Sequence, residues 1–179
     1  SSDSKNFLNI CKKFGANDLV KRPKILSSDK TGKIEAIKHA LICAEKKYNI
    51  EYDYVIDLDA TSPLRTVSDI KKAYKKFLKS NSTNLFSVTN SNRSPYFNMV
   101  EIKNSKVQLV KKGKKQYLRR QDTPTTYDLN ASIYIWKRNS LIKNKKLIKN
   151  KTSIFVMPKS RSIDIDDELD FKIVSQLLK

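Results

Sequence analysis

The spacing of apolar residues along the chain predicts helices and strands that alternate. A helical stripe over residues 4–14 ends at Gly15, and a second helix covers residues 32–48. Residues 52–59 form the clearest strand, since apolar residues alternate there with acids and Val55. Further helices are predicted at 67–78, 139–147 and 167–178, and further strands at 84–89, 97–102, 106–110, 132–137 and 153–157. This order predicts an α/β fold, with a mostly parallel sheet flanked by helices and an inserted β-hairpin.

The acidic face of the strand at residues 52–59 indicates either a sheet edge or a site at the strand's carboxyl end. In open α/β sheets, ligands bind beyond the carboxyl ends of the strands. Three polar segments compete for that position, namely residues 59–65, 119–130 and 164–166. Together they would set arginines opposite a pair of carboxylates, as expected where Mg²⁺ accompanies a phosphorylated substrate.

Residues 161–171 crowd acids into a strongly basic chain. If residues 162–166 are extended, Asp164 and Asp166 point to the same side, and like charges held together favour a bound cation. Oxygen ligands suit Mg²⁺. The alternative is that the next acids, Asp167, Glu168 and Asp170, only stabilise the first turn of a helix. Both can hold, with Asp164 and Asp166 functional and the later acids structural.

The net charge of +19 raises the hypothesis of a nucleic-acid-binding module. The basic runs at residues 111–115 and 143–151 are mostly lysine, whereas base and phosphate recognition favours arginine interleaved with aromatics. The pattern favours a solvated lysine surface that attracts small anions, with nucleic-acid binding kept as the alternative. A length of 179 residues, with no long linker, predicts a single domain.

The cysteines and the histidine limit the chemistry further. Cys11 and Cys43 lie in helical patterns without metal-ligand spacing, so they are predicted to be buried free thiols of a cytoplasmic protein. His39 is the only histidine, which leaves little basis for a zinc site or a Ser-His triad. No apolar run is long enough to span a bilayer, and no membrane partner is expected.

Four stretches carry a resemblance to a known family. They read Ala-Thr-Ser-Pro-Leu-Arg at 60–65, Arg-Arg-Gln-Asp-Thr-Pro at 119–124, Asn-Ala-Ser-Ile-Tyr at 130–134, and Ser-Ile-Asp-Ile-Asp-Asp-Glu-Leu-Asp at 162–170. In this order the chain resembles the acylneuraminate cytidylyltransferases, or CMP-sialic acid synthetases. The last stretch is the most specific of the four.

The resemblance implies a Rossmann-like fold of the nucleotide-diphospho-sugar transferase type. It also implies a homodimer formed through a protruding segment at about residues 95–130. The implied reaction joins CTP to a nine-carbon 2-keto acid sugar (a nonulosonic acid) and releases pyrophosphate, with Mg²⁺ on Asp164 and Asp166. Arg65 is implied as a further catalytic residue. The residues implied to bind substrate are Asp59, Ser62, Arg120, Gln121, Asn130 and Tyr134.

The chain departs from the family pattern in three places. The family's amino-terminal loop that grips the triphosphate has no match, so the chain resembles a truncated enzyme and is expected to be inactive by itself. Asp59 and Asp128 stand where the neuraminate enzymes usually carry Gln and Arg, which argues against N-acetylneuraminate as the substrate, and a related bacterial nonulosonate such as legionaminate would fit at least as well. An inactive fragment kept for oligomer contacts is a further alternative.

Three of the implied site residues also have structural interpretations. Arg65 could form a salt bridge with Asp69, and Tyr134 could belong to the core because it alternates with isoleucines. Asn130 could be a turn residue before a strand. The joint occurrence of the motifs favours the functional interpretation.

Overall fold

The computed structural model describes residues 1–28, 31–113, 116–143 and 145–179. The helices in this part of the chain are α1 (Lys5–Lys13), α2 (Lys33–Tyr48), α3 (Val67–Lys79), α4 (Arg138–Lys143) and α5 (Glu168–Leu177). Its strands are β1 (Tyr54–Leu58), β2 (Asn84–Asn90), β3 (Val100–Lys103), β4 (Lys106–Leu109), β5 (Tyr127–Lys137) and β6 (Thr152–Val156). The predicted elements are therefore present in the predicted order.

The main sheet has four strands in the order β1, β5, β2, β6, and β3 and β4 form a separate two-stranded sheet. The α/β prediction is confirmed, and the main sheet is mixed. Two main-chain hydrogen bonds show that β5 runs antiparallel to β2: the Lys137 N–H donates to Thr83, and the Ser91 N–H donates to Thr126. Parallel neighbours need a crossover, usually a helix, whereas the connection from β2 to β5 carries the hairpin.

The chain divides into two compact units. The first comprises Ser1–Asp57, Tyr74–Leu85 and Ile133–Ser153, and the second comprises Leu58–Ala73, Phe86–Ser132 and Ile154–Lys179. In the first unit the core is apolar, with buried residues that include Ile37, Leu41, Phe77, Leu85, Ile133, Ile135, Trp136 and Leu141. The prediction of a single domain stays a prediction.

The second unit buries an unusual share of polar residues. Alongside Phe86, Val88 and Met157, its buried residues include Ser62, Asp69, Ser87, Ser94, Asn130 and Ser132. A buried polar group is stable only when it is hydrogen-bonded. The hydrogen bonds of this unit therefore decide the positions of the motif residues.

Helix α1 ends as its sequence predicts. Gly15 has a φ of 89°, and the N–H groups of Gly15 and Ala16 donate to Lys12 and Cys11 in a Schellman motif. On α1 only Leu8 is buried. The prediction of two buried thiols is wrong for Cys11, which is exposed because the apolar stripe of α1 is largely uncovered, whereas Cys43 is half-buried; both thiols are free.

The predicted hairpin is confirmed. Strands β3 and β4 pair in antiparallel register with Lys103 opposite Lys106, and the connecting Asn104 and Ser105 both have positive φ, as a type I′ turn requires. Its cross-strand pair Ile102 and Val107 is 78% and 70% exposed. The role of the segment at residues 95–130 in dimerisation stays a prediction.

Strand β5 differs from its predicted extent. It begins at Tyr127 rather than at residue 132, so Asn130 lies inside a strand and its interpretation as a turn residue is wrong. Ala131 has a φ of 49°. Such a residue interrupts the regular alternation of the strand, which explains why the sequence pattern located only the second half of β5.

Two further boundaries bear on the predictions. Helix α4 ends at Lys143, so the predicted helix at 139–147 is shorter in the structure, and residue 144 lies outside the described residues. The basic run at 111–115 also extends into residues outside that part of the chain. None of the described helices is long and apolar enough to cross a membrane.

Candidate active site

Ser62 is the residue at which the three predicted polar segments meet. Its side chain is fully buried in the loop that follows β1. The Ser62 Oγ lies 3.1 Å from the main-chain oxygen of Asn130 and 3.3 Å from Oδ1 of Asp164, and both are within hydrogen-bonding distance. A single hydroxyl thus joins the loop after β1, the strand β5 and the acidic motif.

Asn130 is 3% exposed, and both polar atoms of its amide have protein partners. Its Oδ1 accepts from Ser87 Oγ at 2.7 Å, and its Nδ2 donates to Ser162 Oγ at 2.9 Å. These contacts are those of a side chain that joins β2, β5 and the segment before Asp164. The role implied by the resemblance, in lining a sugar pocket, stays a prediction.

Arg65 organises the loop after β1 through main-chain oxygens. Its guanidinium nitrogen Nη1 donates to the carbonyls of Asp59 at 2.6 Å, Ser62 at 2.7 Å and Ser132 at 3.3 Å. Arginine suits this task because its donors form a rigid fork. The implied catalytic role of Arg65 stays a prediction.

Residues 162–166 do not belong to a strand. The segment is held at the Ile165 N–H, which donates to the Thr61 carbonyl at 2.9 Å. Asp164 is half-buried and Asp166 is exposed, so the two carboxylates differ in environment. One carboxylate is thus fixed by the protein, and the other is open to solvent.

Two of the later acids of the motif, Asp167 and Asp170, accept hydrogen bonds from main-chain N–H groups. Asp167 caps α5, because its side chain accepts from the N–H groups of Leu169 and Asp170 at 2.8 and 2.9 Å. Asp170 Oδ2 accepts from the Asp166 N–H at 3.2 Å. The predicted division between functional and structural acids is compatible with these contacts.

An ion pair with a buried carboxylate lies just before the motif. The Arg161 guanidinium donates to both oxygens of Asp69 at 2.8 Å, and Asp69 is 2% exposed. These bonds to Arg161 lower the pKa of Asp69 to about 2, while burial opposes the change. Asp69 also closes a capping box with Thr66 at the start of α3. The Thr-x-x-Asp spacing signals this cap, but nothing in the sequence signals the pairing with Arg161.

Two cations meet at Asn92. Arg120 donates to the main-chain oxygen of Asn92, and Lys159 donates to its side-chain oxygen. Arg120 and the neighbouring Gln121 are exposed in a single helical turn. Sequence reasoning missed Lys159, which looked like one more surface lysine. The departure at Asp128 is exposed too, and its Oδ1 accepts from Ser91 at 2.6 Å.

Tyr134 belongs to the first compact unit, whereas the residues above belong to the second. It is 7% exposed, as the core interpretation requires, and Lys33 Nζ lies 3.8 Å from its ring centroid. Lys33 also pairs with Asp57 at 3.0 Å. Within this unit Tyr134 lines a cavity of about 380 Å³ together with Lys33, Trp136 and Leu147. Its part in substrate binding stays a prediction.

A divalent cation fits the donors of the acidic motif as part of a shared site. Asp164 and Asp166 offer hard carboxylate oxygens, which Mg²⁺ prefers. Among the described residues, no group of three or more His, Cys, Asp or Glu side chains could hold a metal ion. A cation at these two aspartates would therefore take its other ligands from water and substrate phosphates, as Mg²⁺ commonly does.

Comparison with known proteins now defines the class of the chain. The sequence model of the Cytidylyltransferase family matches residues 1–172, so the chain belongs to this family. The solved structure of a CMP:2-keto-3-deoxy-manno-octonic acid synthetase complexed with CTP has the same fold, with a TM-score of 0.60. The match covers 99% of this chain and 78% of that one, at 12% identity.

Three curated relatives narrow the comparison. The chain is 43% identical to the CMP-N,N'-diacetyllegionaminic acid synthase of Campylobacter jejuni, over 99% of this chain and 75% of the relative. It is 40% identical to the post-translational flagellin modification protein B of Campylobacter coli, over 100% and 75%. A pseudaminic acid cytidylyltransferase of Campylobacter jejuni is 29% identical, over 100% and 76%.

Proposed function

We propose that the chain transfers CMP from CTP to a nonulosonic acid of the legionaminate type, and that pyrophosphate is the second product. The observation that carries the proposal is the position of Ser62, which brings the Asp164 carboxylate to the loop after β1 and to Asn130. The identity of 43% to a legionaminic acid synthase supports the substrate class. The acids at Asp59 and Asp128 support it as well, since neuraminate enzymes are expected to carry Gln and Arg there.

The reaction requires a sugar hydroxyl to attack the α-phosphate of CTP. Such a displacement depends on in-line placement and on neutralisation of phosphate charge. We assign Mg²⁺ to Asp164 and Asp166, where it would neutralise phosphate charge and polarise the attacking hydroxyl. Asp164 is held by Ser62, and Arg65 fixes the carbonyls of the same loop.

The sugar carries a carboxylate, which needs a cationic or donor-rich partner. Arg120 and Lys159 meet this need, because both are exposed and both contact Asn92. Gln121 adds an exposed amide beside Arg120. We therefore assign the recognition of the sugar carboxylate to this rim of the second unit.

The proposal includes a homodimer in the cytoplasm. The exposed pair Ile102 and Val107 on the hairpin offers an apolar surface for a second copy, as the resemblance implies. The free thiols suit a reducing compartment.

The test is pyrophosphate release from CTP and Mg²⁺ with legionaminate, pseudaminate and N-acetylneuraminate as acceptors. The assay uses the chain as it stands and the chain with a triphosphate-binding segment of the family joined before Ser1. We expect turnover of the joined form, with legionaminate preferred. Absence of turnover with all three sugars would exclude the proposal.

Two matched variants test the metal assignment. Asp164→Asn should lower turnover by about a hundredfold or more, since charge stabilisation at the reaction centre is lost. Asp167→Asn removes the same charge three residues away and keeps the cap, because Asn caps helices as well as Asp does. It should retain turnover. Equal activity of the two variants would remove Asp164 from the metal site.

A further inference from the structure

The segment that carries Asp164 is attached at three points to the loop after β1 and the start of α3, in addition to the hydrogen bond from Asn130 to Ser162. Arg161 forms the bidentate pair with Asp69, Asp164 accepts from Ser62, and the Ile165 N–H donates to Thr61. The partners on the other side of these contacts are Thr61, Ser62 and Asp69. They belong to one continuous stretch, the loop after β1 and the first turn of α3. This stretch therefore acts as a template for an acidic segment that has no secondary structure of its own.

The Arg161–Asp69 contact is the strongest of the three attachments. It joins opposite charges through two parallel hydrogen bonds of 2.8 Å, and charge-assisted bonds of this kind are about twice as strong as neutral ones. The Asp69 side chain is 3% exposed, so water cannot readily replace Arg161. The other two attachments are a hydroxyl contact at 3.3 Å and one main-chain hydrogen bond.

Asp69 is itself fixed before it meets Arg161. Its Oδ2 accepts from the Thr66 N–H at 2.9 Å and from the Thr66 hydroxyl at 2.8 Å. The first turn of α3 therefore fixes the position of the Asp69 carboxylate. Because Arg161 binds this carboxylate with two hydrogen bonds, the start of the acidic segment is fixed relative to α3. Such fixed outer partners commonly orient the ligands of metal sites.

We infer that Arg161 and Asp69 are positioning residues, which fix Ser162 to Asp166 and hold the Asp164 carboxylate where the proposed reaction uses it. The inference rests on the proposed function for its link to Mg²⁺. Its structural half, the fixing of the segment, does not depend on that function. The two halves can be measured separately.

The chain offers a matched control for this inference. Arg138 forms a second bidentate pair, with Glu45 at 2.6 and 3.0 Å, in the first compact unit. The burial of the two pairs is comparable, since the arginine side chains are 34% and 23% exposed and the acids 3% and 12%. Arg138→Lys makes the same chemical change as Arg161→Lys, in the other compact unit.

The experiment compares the two variants by amide hydrogen exchange and by Mn²⁺ binding, with Mn²⁺ as a paramagnetic probe for Mg²⁺. Arg161→Lys should speed exchange of the Ile165 amide about tenfold, the factor for one lost charge-assisted hydrogen bond. It should also weaken Mn²⁺ binding about tenfold, as loss of outer-shell support does. Arg138→Lys should change neither, with thermal unfolding confirming that both variants are folded.

A second variant, Asp69→Glu, lengthens the acidic side chain and so displaces the carboxylate that Arg161 binds. It should speed Ile165 exchange and weaken Mn²⁺ binding as Arg161→Lys does. Unchanged Ile165 exchange in both variants would overturn the inference, as would equal changes in Arg138→Lys. If the unaltered chain binds no Mn²⁺ but the selective exchange effect is present, the metal assignment under the proposed function fails and the structural half of the inference stands. The two failures are thus distinguishable.

Discussion

Replacing Asp69 by asparagine should cost stability in a way that depends on pH. In the folded chain the Arg161 guanidinium lowers the pKa of Asp69 from an ordinary value of 3.8 to about 2. The charged carboxylate is therefore more favourable in the folded state than in the unfolded state. Its contribution is complete above pH 3.8 and is lost as the pH falls from there towards 2.

The magnitude follows from the size of the pKa change. Each pKa unit corresponds to about 1.4 kcal/mol, so the pair contributes about 2–3 kcal/mol to the free energy of unfolding near neutral pH. This conversion is appropriate because Asp69 is 2% exposed and little screened by solvent. Asparagine keeps the size and an acceptor for Thr66, but its amide nitrogen cannot accept from Arg161, so only the pH-dependent part of the difference reports on the charge.

The assay is urea unfolding of the unaltered chain and of Asp69→Asn, at several pH values between 7 and 3. We expect a gap of at least about 2–3 kcal/mol in unfolding free energy from pH 7 to about 5, which narrows below about pH 4 as the carboxyl becomes protonated. A gap that stays constant down to pH 3 would contradict the assigned cause, because a loss of packing alone does not titrate.

Two further predictions concern single backbone and thiol positions. Ala131→Gly should raise the unfolding free energy by about 0.5 kcal/mol, since relief of the positive φ outweighs the extra freedom of glycine in the unfolded chain. The control Ala36→Gly, inside α2, should lower the unfolding free energy by about 1 kcal/mol. Urea unfolding measures both changes. Iodoacetamide should label the exposed Cys11 well before the half-buried Cys43, as followed by mass spectrometry, and equal rates would contradict the assigned exposures.

Much of the fold could be predicted from local patterns in the sequence. Helices α2 and α3 and strand β2 start and end within about two residues of their predicted limits, because their periodicity and caps are local signals. The hairpin was equally readable, since Asn104 and Ser105 suit its turn. The prediction of a mostly parallel sheet rested on the alternation of helices and strands alone. That alternation carries no signal that β5 runs antiparallel to β2 after the hairpin.

The candidate site was less predictable, because its contacts join residues far apart in the chain. The motifs identified Ser62, Asn130 and Asp164 as a set, and the structure brings these three together. The pairing of Asp69 with Arg161 spans 92 positions, and no spacing rule reports such a contact. The solvent exposure of single side chains could not be predicted from the pattern either, since Cys11 and Leu8 share one helical pattern yet differ in burial.

The motif residues differ in whether their polar groups are buried and already hydrogen-bonded to the protein. The amide of Asn130 and the hydroxyl of Ser62 are buried and contact only protein in the bonds described above. A ligand that used them would have to break these bonds, and each buried group left unpaired would cost about 1–3 kcal/mol. Asp166 and Arg120 are exposed, so a ligand can reach them without that cost. The buried members therefore suit a structural role, and under the proposed function the exposed members are the ones that CTP and the sugar can reach.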